Sequence, residues 1–156
     1  MAVEIERKFL VVNDDWRQQV RDHFVLKQGY LIATKQASVR VRVQADRAHL
    51  NIKSITLGVS RQEFEYPIPL QDANTILTTL CETPIIEKTR YLVPFGGKEW
   101  EIDVFAGDNE GLIVAEIELH DVNENFDKPD WLGEEVSQDP RYYNTCLTQH
   151  PYKDWK

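Results

Sequence analysis

Six times along this chain, two like charges stand two residues apart inside a segment that otherwise alternates polar and apolar. The pairs are Glu4 and Glu6, Arg40 and Arg42, Glu63 and Glu65, Lys88 and Arg90, Glu101 and Asp103, and Glu116 and Glu118. Lys8 follows Glu6 on the same face, and Lys53 stands mid-segment between Ile52 and Ile55. On a β-strand, side chains two apart point the same way, so each pair holds like charges close together. Like charges side by side are mildly destabilising, and nothing in strand formation selects for them. A half-buried antiparallel sheet with a polar face in water accounts for any single pair. An ordinary solvated face, however, mixes Thr, Ser, Gln and alternating signs. Repetition along eight strands points instead to charged faces turned inward. Eight strands closed on themselves enclose room for one small ligand.

The segments with period two run over about 3–12, 24–33, 37–44, 47–55, 61–68, 85–94, 98–106 and 112–120. Turn residues separate them: Gly58, the Gly96-Gly97 pair and the run Gly107-Asp108-Asn109-Glu110-Gly111. Several gaps are too short for a parallel crossover, so neighbours should pair antiparallel. Helical spacing is rare. Ala73, Ile76, Leu77 and Leu80 predict a helix over 71–81 that stops before Pro84. Asn13 is placed to cap a short helix carrying Trp16 and Val20. Asp139-Pro140 opens a C-terminal helix carrying Tyr143 and Leu147. The stretch 121–139 is polar, contains Pro129 and Gly133, and reads as a long connection. The expected fold is α+β and mainly β: one domain over 1–156, an eight-stranded antiparallel closed tunnel or barrel with a charged lumen and helices packed outside.

Charge narrows the function classes. Acidic residues number 26 against 18 basic ones, a net −8, which disfavours nucleic acid and anionic membranes as partners. No apolar run approaches the ~20 residues of a membrane-spanning helix. The start, Met1-Ala2-Val3-Glu4-Ile5-Glu6-Arg7-Lys8, puts charge where an export signal carries its apolar stretch. The expected compartment is the cytoplasm, with Cys81 and Cys146 as reduced thiols. His23, His49, His120 and His150 lack metal-ligand spacing and read as surface or turn residues. Trp16, Trp100, Trp131 and Trp155 read as packing between helices and barrel.

A lumen with both signs divides its chemistry. Closely spaced carboxylates suit a hard divalent cation such as Mg²⁺ or Mn²⁺. Closely spaced arginines and lysines suit phosphate oxygens. Together they suit a polyanion bound with its metal.

The ordered set of motifs resembles the CYTH domain family, also called triphosphate tunnel metalloenzymes. Glu4-Ile5-Glu6-Arg7-Lys8 matches its ExExK signature. There follow Gln28 to Leu31, Arg40-Val41-Arg42, Lys53, Glu63-Phe64-Glu65-Tyr66, Lys88-Thr89-Arg90-Tyr91 and Glu101-Ile102-Asp103. The series closes with Glu116-Ile117-Glu118, Trp131-Leu132-Gly133 and Arg141-Tyr142-Tyr143-Asn144. The resemblance spans nearly the whole chain and looks like the short bacterial members without an appended domain. It implies an eight-stranded tunnel that binds a triphosphate with a divalent metal. The implied activity is metal-dependent hydrolysis of inorganic triphosphate to pyrophosphate and phosphate.

Residue by residue, Glu116 and Glu118, then Glu4 and Glu6, are the candidate metal ligands. Glu63, Glu65 and Asp103 serve either a second ion or the basic residues as partners. Arg40, Arg42, Lys53, Lys88 and Arg90 are the candidate triphosphate clamp. Lys27, offset by one from Gln28 and Tyr30, should face outward, and Glu99 could be a rim residue. The resemblance further implies that Lys8 and Tyr30 activate the attacking water. Other activities of the same family stay open: an adenylyl cyclase, or a nucleoside or thiamine triphosphatase. So does a non-catalytic binder of polyphosphate or nucleotide. The expected partner is a small-molecule triphosphate, with a homodimer left open.

Overall fold

The structure is a computed structural model that describes residues 3–54 and 59–155. Its frame is nine antiparallel strands: β1 Val3–Val11, β2 Asp22–Ala33, β3 Ala37–Gln44, β4 Arg47–Ser54, β5 Ser60–Pro67, β6 Ile86–Phe95, β7 Lys98–Phe105, β8 Ile113–Leu119 and β9 Leu132–Glu135. Eight of them close a barrel in the order β1-β8-β7-β6-β2-β3-β4-β5, and β5 returns to β1 through Val3–Gln62, Glu4–Arg61 and Ile5–Ser60. The expectations at Ile55 and Gly58 lie outside the described residues.

β9 was not expected. Residues 121–139 read as a connection, yet β9 pairs with the free stretch of the β1 edge beyond β5, at Phe9 and Val11. Immediately after it, Val136 N donates to the Lys8 carbonyl and Lys8 N donates to Ser137 Oγ. A four-residue strand containing a glycine carries no period of its own, so its pairing depends on an edge made elsewhere.

Much of the outward face of β6, β7 and β8 is apolar and covered, whereas Val25 and Ile32 on β2 and Phe64 and Tyr66 on β5 are exposed. Phe9, Val93, Trp100, Ile102, Ala115, Ile117 and Leu119 form a core with Trp16 and Trp131, and Phe126 packs against it. Trp16 belongs to a short 3-10 helix, Asp15–Gln19, with Asp14 at its capping position. Asn13, the expected cap, instead accepts from Asp15 N at 2.9 Å, and Val20 packs from just beyond the helix. Helix α1, Leu70–Thr79, lays Ala73 and Leu77 on Val41 and Ala48. Leu80, expected on that face, falls past the last turn and is exposed. Gly29 permits the close approach of the chain after α1, since a Cβ there would meet Cys81 at 2.9 Å. Gly96 and Gly97 take φ of +61° and +77° in the β6–β7 turn, where residues with a side chain are strained.

At one end the bore itself is apolar. Tyr30, Ile86, Phe105 and Val114 share their strand faces with the lumen charges and pack on Leu147 of α2, Asn144–Gln149. Asp139 caps as expected, accepting from Arg141 N at 3.1 Å, but it opens a 3-10 turn, Pro140–Tyr142. Tyr143 is extended, so it lies outside the helix that carries Leu147. No helix of the described residues is long and apolar enough to cross a membrane.

Candidate functional site

The same-sign pairs do face the lumen, and they are sorted by wall. Going round the barrel, the inward faces of β7, β8 and β1 carry Glu101 and Asp103, Glu116 and Glu118, then Glu4, Glu6 and Lys8. The opposite arc carries Lys53 on β4, Arg40 and Arg42 on β3, neutral Gln28 and Tyr30 on β2, and Lys88 and Arg90 on β6. β5 closes the circle with Arg61, Glu63 and Glu65. A cavity of about 150 Å³ lies between the walls, bordered by Glu4, Glu6, Glu116 and Glu118 on one side and Arg40, Arg42, Lys53 and Arg90 on the other. A smaller space of about 40 Å³ shares Glu6, Arg40 and Lys53 with it and adds Lys8, Tyr30, Ser38, Arg61 and Tyr143. A larger groove of about 680 Å³ lies outside the barrel, against Arg7, Val59 and residues 134–140.

Where the walls meet, opposite charges lock. Asp103 lies 2.7 Å from the Lys88 ammonium and takes both ends of the Arg90 guanidinium at 2.8 and 2.9 Å. Burial opposes the Asp103 carboxylate, but Arg90 and Lys88 outweigh it and hold its pKa below the ordinary value. Arg90 also reaches Glu101 at 3.2 Å. Burial disfavours its charge too, but Asp103 and Glu101 carry it well above its usual pKa. Lys88, fully enclosed, is pulled down to about 8 by burial, against Asp103 and with the help of Arg90 and Arg42. At the other seam, Lys53 bridges Glu4 at 3.1 Å and Glu63 at 3.0 Å. Glu65 is exposed and accepts from Asn51 at 2.8 Å. Asp103 and Glu63 therefore sit as partners of the basic residues.

Within each wall, like charges press on one another. Arg42 is pulled down to about 9 by burial, then by Arg40 and Arg90. On the acidic wall Glu6 hydrogen-bonds Glu116, with Glu6 pushed well above the carboxylate range by burial and by its neighbour. Glu116 is held well below that range because Lys8, the Glu6 bond, Arg90 and Lys88 outweigh its burial. The two carboxyl groups thus press on each other's charge across this contact. Glu118 borders the cavity at its exposed mouth, beside Glu101. Lys8 is buried, donates to the Tyr142 carbonyl at 3.1 Å and lies over the Tyr143 ring. Tyr30 is buried on the border of the same small space. Lys27 is exposed, and Glu99 pairs with Arg21 outside the lumen.

Residues 2–143 match the CYTH domain family. The chain belongs to the CYTH family. Two curated relatives are similar over their length. An inorganic triphosphatase of Acetivibrio thermocellus is 50% identical, covering 100% of this chain and 99% of the relative. An inorganic triphosphatase of Nitrosomonas europaea is 39% identical, covering 92% and 95%. A crystal structure of an inorganic triphosphatase superposes with a TM-score of 0.66 at 36% identity, over 93% of this chain and 97% of that one.

Membership of the CYTH family implies a divalent metal, and the acidic wall fits one. Two buried carboxyl groups held side by side on the cavity wall are a natural place for a cation, which offsets their mutual repulsion. Among the described residues no three acidic side chains are already gathered as a cage.

Some residues of the site were given no role from sequence, although Tyr143 and Asn144 stood within the Arg141-to-Asn144 motif. Glu101 had been paired with Asp103 but not placed in the site, although it borders the cavity and meets Arg90. Arg61, Tyr143, Asn144 and Thr145 line the inner space. Arg61 shares the β5 inward face with Glu63, and that two-residue spacing was the available signal.

Proposed function

We propose that this chain is a divalent-metal-dependent triphosphatase that hydrolyses inorganic triphosphate to pyrophosphate and phosphate inside the barrel, as one tunnel domain over 1–156 acting in the cytoplasm. The observation that carries this reading is the separation of charge across the bore. A polyanion can lie against Arg40, Arg42, Lys53 and Arg90, but it faces a carboxylate wall less than one small molecule away. A cation between the two resolves that conflict. The CYTH relatives named inorganic triphosphatase support the same reading.

Glu116, Glu118, Glu4 and Glu6 would hold Mg²⁺ or Mn²⁺, whose charge would neutralise phosphate oxygens and stabilise the phosphoryl group in transfer. Arg40, Arg42, Lys53 and Arg90, which border the cavity, hold the triphosphate. Lys88, expected in the clamp, is enclosed behind them against Asp103 and acts through Arg90 and Asp103, while Glu63 fixes Lys53 in place. Little covalent chemistry is asked of the protein in phosphoryl transfer beyond positioning and charge stabilisation. Lys8 is fixed by Tyr142 and borders the inner space with Tyr30, where the two take part in activating water. A water oxygen bonds to the terminal phosphorus as the bridging P–O bond breaks, its electron pair leaving on pyrophosphate. One water proton stays on the orthophosphate and the other goes to pyrophosphate.

The test is phosphate release from inorganic triphosphate, ATP, thiamine triphosphate and pyrophosphate, each with Mg²⁺ or Mn²⁺, with cyclic AMP measured alongside. Inorganic triphosphate should be the preferred substrate by at least tenfold in kcat/KM. Preference for ATP, or formation of cyclic AMP, would overturn the proposal.

A further inference from the structure

We infer that Asn144 orients the attacking water through its side-chain carbonyl oxygen, a role that rests on the triphosphatase reading above. Asn144 borders both the inner space and the larger cavity, and it comes from outside the barrel wall, as the first residue of α2. Its Oδ1 is buried and has no hydrogen-bond partner among the described residues. It does not cap the helix: Tyr143 holds the capping position, and Asn144 Oδ1 accepts no bond from the first turn. A buried acceptor left unpaired is costly, so it calls for a ligand or a function.

The surroundings select which ligand. The inner space is lined by the cations Lys8, Arg40 and Lys53, which only donate, with the hydroxyls of Tyr30 and Ser38 and the Glu6 carboxyl beside them. The Arg40 Nε is also buried without a partner. Ionised phosphate oxygens only accept hydrogen bonds, so they satisfy Arg40 and not Asn144 Oδ1. Water both donates and accepts. A water about to attack phosphorus must aim a lone pair at it, and therefore needs acceptors for its O–H groups on the far side. Glu6, which also borders both spaces, is engaged with Glu116. Asn144 Oδ1 supplies an acceptor where donors otherwise dominate. The water it holds bonds to the terminal phosphorus as the bridging bond breaks, with its protons distributed as above.

Asn144→Ala and Asn144→Asp are compared with the wild-type protein in three measurements: steady-state hydrolysis of inorganic triphosphate, thermal melting, and the melting shift produced by triphosphate with Ca²⁺. Asn144→Ala should lower kcat about 10- to 100-fold, the range expected when a reacting group loses its alignment. KM should stay within about twofold, the triphosphate-induced shift should persist, and the melting temperature should not fall, because no protein hydrogen bond is lost. Asn144→Asp retains an acceptor oxygen and should recover several-fold of the lost kcat. A loss of kcat that comes with a lower melting temperature shows a structural role and overturns the inference. A raised KM with kcat intact shows a phosphate contact and does the same. If Asn144→Ala folds poorly, Asn144→Asp with no more activity than background overturns it. An active wild type beside an equally active alanine variant refutes the role of Asn144 alone, whereas a wild type that releases no phosphate from triphosphate refutes the triphosphatase reading with it.

Discussion

Replacing Arg42 with methionine should make the empty protein more stable while removing most of its activity. Arg42 lies on β3 with Arg40 two residues away on the same face, and Arg90 adds a third cation nearby. Burial and those two neighbours pull its pKa well below the ordinary guanidinium value, to about 9, which corresponds to about 5 kcal/mol against the charged form at ~1.4 kcal/mol per pH unit. At neutral pH the guanidinium is charged in both the folded and the unfolded chain, so the penalty is present in full. It fades only as pH rises through about 9. Methionine fills similar volume without charge. The loss on the other side is the Arg42 bond to Gln28 Oε1 at 2.9 Å, which strands an acceptor at a cost of about 1–3 kcal/mol. The net gain is about 2–4 kcal/mol, less whatever water at the mouth of the bore already screens. At ~2–4 °C per kcal/mol for a domain of this size, the melting temperature should rise by at least about 4 °C. Scanning fluorimetry at pH 7 in low phosphate reads this directly, and phosphate release reads the activity. A fall in melting temperature would show that Arg42 supports the fold, and would refute the view that the basic wall is held strained for an anion.

Asp103→Asn should act in the opposite direction. It leaves Lys88 and Arg90 buried without their carboxylate, a loss of about 3–5 kcal/mol, so an unchanged melting temperature would count against the seam. The Lys88→Met variant tests the pH dependence. Folded Lys88 releases its proton near 8 while the unfolded lysine keeps it to 10.5. The unfolded chain therefore binds more protons between those limits, and the wild type should gain up to about 3 kcal/mol on Lys88→Met from pH 8 to 10.5. A stability difference flat across that range, by urea denaturation, would contradict it. Exhaustive chelation should abolish turnover, Mg²⁺ or Mn²⁺ should restore it, and Ca²⁺, which takes longer bonds and more ligands, should not. Full activity in chelator would remove the metal from the account.

Much of the fold was legible because burial of charge is so constrained. Solvation does not explain Glu116 beside Glu118, or Arg40 beside Arg42, and inward orientation was the reading left. Helix α1 was legible from the spacing of Ala73, Ile76 and Leu77, although Leu80 falls outside it because the chain turns away after Thr79. What sequence did not reveal depends on distant partners. β9 is a strand only because β5 leaves part of the β1 edge unpaired. Likewise, Asp103 and Glu63 could be assigned to the basic residues only once strand register set Arg90 opposite Asp103 and Lys53 opposite Glu63. Asn144 stood within the closing motif, but it carries no charge and no period that would assign it a role, and it enters the site because Leu147 anchors α2 on the apolar end of the bore.

The central claim is that triphosphate binds between the two walls together with a divalent cation. Titration calorimetry of inorganic triphosphate into the protein, with and without Ca²⁺, tests it most directly, because no turnover is expected with that ion. One site per chain should be seen, tighter with the cation than without it. Arg40→Ala should weaken binding in both conditions, whereas Glu116→Gln should remove only the advantage given by the cation. Binding that is indifferent to Ca²⁺, or unchanged by both substitutions, would place triphosphate elsewhere on the protein and contradict the account.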